Sequence, residues 1–144
     1  MFEHPYTLGV RIAAPVASTR AVVEIALRAE GFGILTEIDM AATMQAKLGI
    51  DMAPYLILGA CNPLLAHRAV TADPAIGALL PCNVVIRADG DATVVEAMDP
   101  GAALGLVHGA AADEVAAVAA DARARLARAM EAIALASGGE MVTA

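Results

Sequence analysis

The chain has 144 residues, a size that fits one domain and suffices to bury a core without disulfide staples. Its net charge of −7, pI of about 4.7 and aromatic content of 3% without Trp leave neither the basic stripe nor the stacking surfaces that nucleic-acid binding needs. Mean hydropathy is +0.67, raised by alanine, and the longest uncharged run, Met52 to Ala66, is interrupted by Pro54, Gly59, Asn62 and Pro63, so it falls short of the roughly 20 apolar residues a spanning helix needs.

Met1-Phe2-Glu3-His4-Pro5 lacks the basic and apolar regions of a signal peptide, which leads us to expect a cytoplasmic protein. Tyr6 to Ile12 alternates as a strand does, and Pro15 breaks it. Ser18 is placed to cap a helix from Thr19 to Glu30, with Val22, Ile25, Ala26 and Ala29 on one face and Gly31 as its stop. Phe32 to Asp39 reads as the clearest strand. Phe32, Ile34, Thr36 and Ile38 should point one way, and Leu35, Glu37 and Asp39 the other. A short helix from Met40 to Leu48 should end at Gly49.

Tyr55 to Ala60 suits a buried strand. Asn62 and Pro63 then fit the cap and first position of a helix through Val70. Asp73-Pro74 starts a further helical turn, and Pro81 ends it. Asn83 to Ala88 and Thr93 to Met98 form a hairpin around Asp89-Gly90-Asp91. Asp99-Pro100-Gly101 closes it. A loop rich in Ala and Gly leads to a long helix from Asp113 to Ala136, striped by Val115, Val118, Ala119, Ala122, Leu126, Ala129 and Ile133.

This order is strand, helix, four strands with helical insertions, then a helix. It predicts an α+β fold with one mainly antiparallel five-stranded sheet and the long C-terminal helix on one face. Residues 1–136 form the expected domain, with 137–144 as a flexible tail. The uncovered sheet face calls for polar residues or a second copy of the chain.

Several segments resemble the signature of the domain of unknown function 302 family. They are Gly31-Phe-Gly-Ile-Leu-Thr-Glu-Ile-Asp39, Pro54-Tyr55, Ile57-Leu-Gly-Ala-Cys-Asn-Pro63, Ile76-Gly77, Leu79-Leu-Pro-Cys-Asn-Val-Val85 and Ala97-Met-Asp-Pro100. The resemblance runs from about Tyr6 to Ile133. It implies the same order of elements and frequent dimers, but no reaction and no cofactor.

Two Cys-Asn steps, Cys61-Asn62 and Cys82-Asn83, stand out. With only two cysteines, spaced unlike a CxxC or zinc ribbon, free thiols are the expected state in a reducing compartment. If their strands are antiparallel neighbours, both thiols lie at one end of the sheet. Buried core cysteines are the commoner outcome of such a pattern. A helix start beside Cys61 would favour a thiolate.

Glu37 and Asp39 share a strand face and could act as an acid–base pair, although Asp39 also suits a helix cap. Asp99 could face the same pocket. Cys61, Cys82 and His67 offer three possible metal ligands, one fewer than a structural zinc site uses. His4 and His108 read as isolated. Gly101, Gly105 and Gly109 do not form a phosphate loop.

These residues favour a homodimeric binding module for a small molecule or metal ion. Its candidate pocket comprises Glu37, Asp39, Cys61, Asn62, Cys82, Asn83 and Asp99. The competing readings are a thiol-dependent redox protein or enzyme using Cys61 and Cys82, and a purely structural or interaction domain.

Overall fold

The computed structural model describes residues 4–137 and 140–143. The five expected strands are β1 (Thr7–Ile12), β2 (Gly33–Asp39), β3 (Tyr55–Cys61), β4 (Cys82–Asp89) and β5 (Ala92–Met98). They form one antiparallel sheet in the order β2-β3-β4-β5-β1. A short β6 (Glu140–Thr143), within the segment expected to be a tail, pairs with the other edge of β1.

Helix α1 (Val16–Ala29) carries the chain from β1 across to β2. This crossover is required because β1 and β2 run parallel to each other, with three strands between them. The long α5 (Ala112–Ser137) lies beside α1 on the same face. Leu8, Val10, Ile12, Leu58, Val84, Ile86 and Val95 of the sheet pack there against Val23 and Leu27 of α1 and Leu126, Met130 and Ile133 of α5. Each such side chain contributes about 1.5–3 kcal/mol when fully buried. The whole expected stripe of α5 is buried.

The N-terminal half of α5 runs past the sheet. There Val115, Val118, Ala119 and Ala122 meet Leu65 and Ala69 of α3 (Pro63–Ala72). Ile76 of a 3-10 helix (Pro74–Leu79) and Leu104 of α4 (Pro100–Leu104) complete this second cluster. The candidate site lies where this cluster meets the sheet rim.

Punctuating residues act as expected at several boundaries. Asp39 caps α2 (Met40–Leu48) by accepting from the Ala42 N–H at 2.9 Å, and Gly49 ends it at φ 65°. Asn62 caps α3, with Pro63 in the first turn.

Three expectations need correction. Helix α1 begins at Val16, directly after Pro15, not at Thr19. Ser18 is inside the first turn, and its hydroxyl donates to the Pro15 carbonyl. The buried side of α1 is Val16, Thr19, Val23, Ala26 and Leu27, while Ile25 is 71% exposed. A helix rich in Ala and Val presents apolar residues all round, so periodicity does not select its face.

A β-bulge at Leu35 is the second correction. Ile34 pairs with Ala60 and Thr36 with Gly59, so the extra residue reverses side-chain alternation. Glu37 therefore shares the helix-covered face with its partner Leu58, and Thr36 and Ile38 take the open face. Third, the loop after Asp99 contains α4. Asp99 caps it and Pro100 opens it, the same signals that start α3. The open face carries a polar pair at its centre, Glu96 with Arg87, beside the fully buried Val94. Among the described residues, no helix is long and apolar enough to cross a membrane.

Candidate functional site

Strand β3 ends on Cys61 and β4 begins on Cys82. Their register pairs Ala60 with Cys82, which brings the two cysteines to one rim of the sheet. Both line a single cavity of about 30 Å³. Phe32, Ala60 and Pro81 line it. Leu65 and Ala69 of α3, Leu104 of α4, and Val118 and Ala122 of α5 form the walls. Apart from the two thiols and Asn62, this lining is hydrocarbon.

Both thiols are free, Cys82 buried and Cys61 half-buried. Burial pushes the Cys82 thiol up to about 11, with a smaller contribution from negative charge at Cys61. Burial also raises Cys61. At neutral pH both are protonated, the reverse of an activated thiolate. The helix start beside Cys61 is already engaged. The Asn62 side chain accepts from the Leu65 N–H at 3.2 Å, and its carbonyl accepts from the Ala66 N–H.

Asn62 is held by its surroundings. A Cβ at Gly31 would come within 2.8 Å of the Asn62 amide nitrogen, and Gly31 sits at φ 86°. Glycine there permits both the left-handed backbone and the close approach. Next to it, Arg125 of α5 donates to the Glu30 carbonyl at 3.1 Å. The exit of α1, the entry of α3 and the middle of α5 are thus tied together beside Cys61.

The remaining candidates disperse. Asn83 is exposed and pairs with Gly59 on the open face, opposite the cavity. Glu37 pairs with Arg20 of α1 at 2.7 Å, while Glu24 and Glu37 together hold that guanidinium firmly protonated. Asp39 is occupied as the cap of α2. Asp99 accepts from the Gly101 N–H at 2.9 Å and from Arg123 at 3.2 Å, which fixes Pro100 against the cavity rather than presenting a carboxylate to it. Glu37, Asp39 and Asp99 therefore do not converge.

His67 does not line the cavity and borders a separate concavity with Arg68, Asp121 and Arg125. Among the described residues, no group of three or more His, Cys, Asp or Glu side chains is arranged to hold a metal ion. The three-ligand set of Cys61, Cys82 and His67 is not assembled.

The open face holds a feature that the sequence reading passed over. Glu96 pairs with Arg87 at 2.9 Å, and His4 lies 3.9 Å from its other oxygen. His4 also packs against Tyr6 with ring centroids 5.3 Å apart, so it is not an isolated histidine. With Tyr55, Asn83 and Met98 these groups line a shallow basin of about 360 Å³. The available signal was a lone Glu inside the apolar strand Ala92-Thr-Val-Val-Glu-Ala-Met98.

No curated protein matches the chain. A crystal structure of an uncharacterized conserved DUF302 protein from Bacillus stearothermophilus is similar over 90% of this chain and 99% of its own, at 27% identity and a TM-score of 0.81. The sequence profile of the domain of unknown function DUF302 matches residues 8–133, and the chain belongs to that family.

Proposed function

We propose that the domain is a homodimeric binding module whose small ligand occupies the cavity shared by Cys61 and Cys82. The observation that supports this most is the placement of both thiols in one otherwise hydrocarbon lining. Neutral thiols favour reversible binding over nucleophilic attack. A space of about 30 Å³ admits a guest of one or a few atoms, since a single water needs about 10–15 Å³ on that measure. Free thiols suit the reducing cytoplasm.

The dimer reading rests on α2. It has no buried residue, yet nine residues of helix are marginal in water without a packed face. Around it Leu35, Ile38, Leu48, Ile50 and Met52 are exposed, and β2 is an open sheet edge. A two-fold axis at this corner would give helix and edge the same partner, a second copy of the chain. Sedimentation of wild type as a dimer and of Leu48→Glu as a monomer would support it; a monomeric wild type at micromolar concentration would end it.

The binding reading is tested by native mass spectrometry of several preparations and by xenon pressurisation of crystals. We expect a bound species or xenon density beside Cys61. Clean apo masses together with an empty cavity under xenon overturn it. The nearness of the thiols also favours a second reading, a dithiol–disulfide couple. Rapid alkylation of both thiols in the folded protein at neutral pH would favour that couple.

A further inference from the structure

We infer that the guest of this cavity is a soft, closed-shell metal ion, of the monovalent copper or silver class, held in two-coordinate fashion between the sulfurs of Cys61 and Cys82. The inference rests on the reading of the cavity as a binding site and adds the chemical class of what binds there.

The donor set decides the class. Cys61 and Cys82 are the sulfur-bearing residues of the cavity lining, and no His, Met, Asp or Glu joins them there. Asn62 is spent on the Leu65 N–H, and His67 lies in a different concavity. Zinc requires four ligands, and calcium or magnesium requires six or more oxygens. Thiolate sulfur selects soft ions, and two donors suffice only for an ion content with linear coordination. The size agrees, because about 30 Å³ accommodates an ion but not an organic ligand of ordinary size.

The walls decide the charge. Binding a monovalent ion with release of one thiol proton leaves a neutral site of one thiolate, one thiol and the ion. Release of both protons leaves a net negative charge in a hydrocarbon lining, which is costly. No oxidant or reductant takes part. Half-buried Cys61 is the first sulfur an entering ion meets, and buried Cys82 is the second. Because binding displaces protons, affinity should rise with pH.

The test is titration of the reduced full chain with Ag(I), and with Cu(I) in competition with a chromophoric Cu(I) chelator. X-ray absorption then counts the sulfur neighbours. We expect one ion per chain, two sulfur neighbours, and about one proton released per ion. Cys61→Ser and Cys82→Ser should each weaken binding by at least about 100-fold, the upper range seen when mere supporting groups of a metal site are removed. Cys82→Ala serves as a second variant should a buried serine hydroxyl unfold the domain. Zn(II) should bind wild type no better than it binds the double variant.

Equal Ag(I) affinity in wild type and the double variant overturns the inference, as does a sulfur count of three or four. Those results with xenon still occupying the cavity leave the binding reading standing. A cavity empty of both removes the two together.

Discussion

The chain uses the same dipeptide twice at one rim of its sheet, and the two copies end differently. At Cys61-Asn62 the strand is finishing. The backbone turns into α3, and both side chains stay with the cavity, Asn62 as the buried cap. At Cys82-Asn83 the strand is beginning. Strict alternation sends Cys82 to the covered face and Asn83 to the open one. Identical residues thus acquire opposite surroundings from the conformation that follows them. The cavity is built from three of these four side chains.

The largest expected effect separates the two thiols by depth. Cys82 has its thiol pushed up to about 11 from an ordinary value of 9.0. The folded state therefore holds its proton more tightly than the unfolded state. That preference costs nothing below pH 9 and is lost as stability between pH 9 and 11, on the order of 2 kcal/mol. Denaturant unfolding across this range should show a decline for wild type and a shallower one for Cys82→Ala. An equal slope in both would place the titration elsewhere.

Gly31→Ala tests the ties around the first step. Left-handed backbone costs a non-glycine residue about 1–2 kcal/mol, and the new methyl must also displace the Asn62 amide. We expect a loss of about 2 kcal/mol, together with faster alkylation of Cys61 as the α3 entry loosens. Gly49→Ala, also at positive φ but with nothing near its Cβ, supplies the control. It should lose stability without changing the labelling rate.

Much of this architecture was legible because the sequence marks its boundaries chemically. Asp39 and Gly49 bracket α2, Asn62-Pro63 opens α3, and Gly90 turns the β4–β5 hairpin at φ 60°. The rim position of the cysteines followed from assuming that β3 and β4 are antiparallel neighbours. What could not be read depends on counts and contacts that a linear pattern does not carry. One extra residue at Leu35 moves Glu37 to the covered face beside Arg20. The Asp99-Pro100 signal looks like a turn closing a hairpin until α5 gives α4 something to pack on. The side on which Asn83 emerges, and the burial of Glu96 under Arg87 and His4, are set by sheet neighbours distant in sequence.

Asn62→Ala removes one helix cap and leaves a buried gap. A lost cap costs about 1 kcal/mol, and the decrease should appear as a shift in the denaturation midpoint at constant slope. The change should also loosen the cavity wall, so the thiols should label faster even where the domain remains folded.

Asn83→Ala is the matching substitution and the smallest expected effect. Its side chain is exposed and caps nothing, so stability should stay within about 0.5 kcal/mol of wild type. Cys61 and Cys82 should label at unchanged rates, because Asn83 projects from the other side of the sheet. A large loss here, equal to that of Asn62→Ala, would mean that the basin beside Glu96 carries structure that its exposure does not reveal. The contrast between the two steps would then reflect two buried polar sites rather than one. Measuring both alanine variants in the same Glu96→Gln background distinguishes these cases. If Asn83 contributes through the basin, its effect should shrink there, while that of Asn62 should persist unchanged, since contacts on opposite faces add independently.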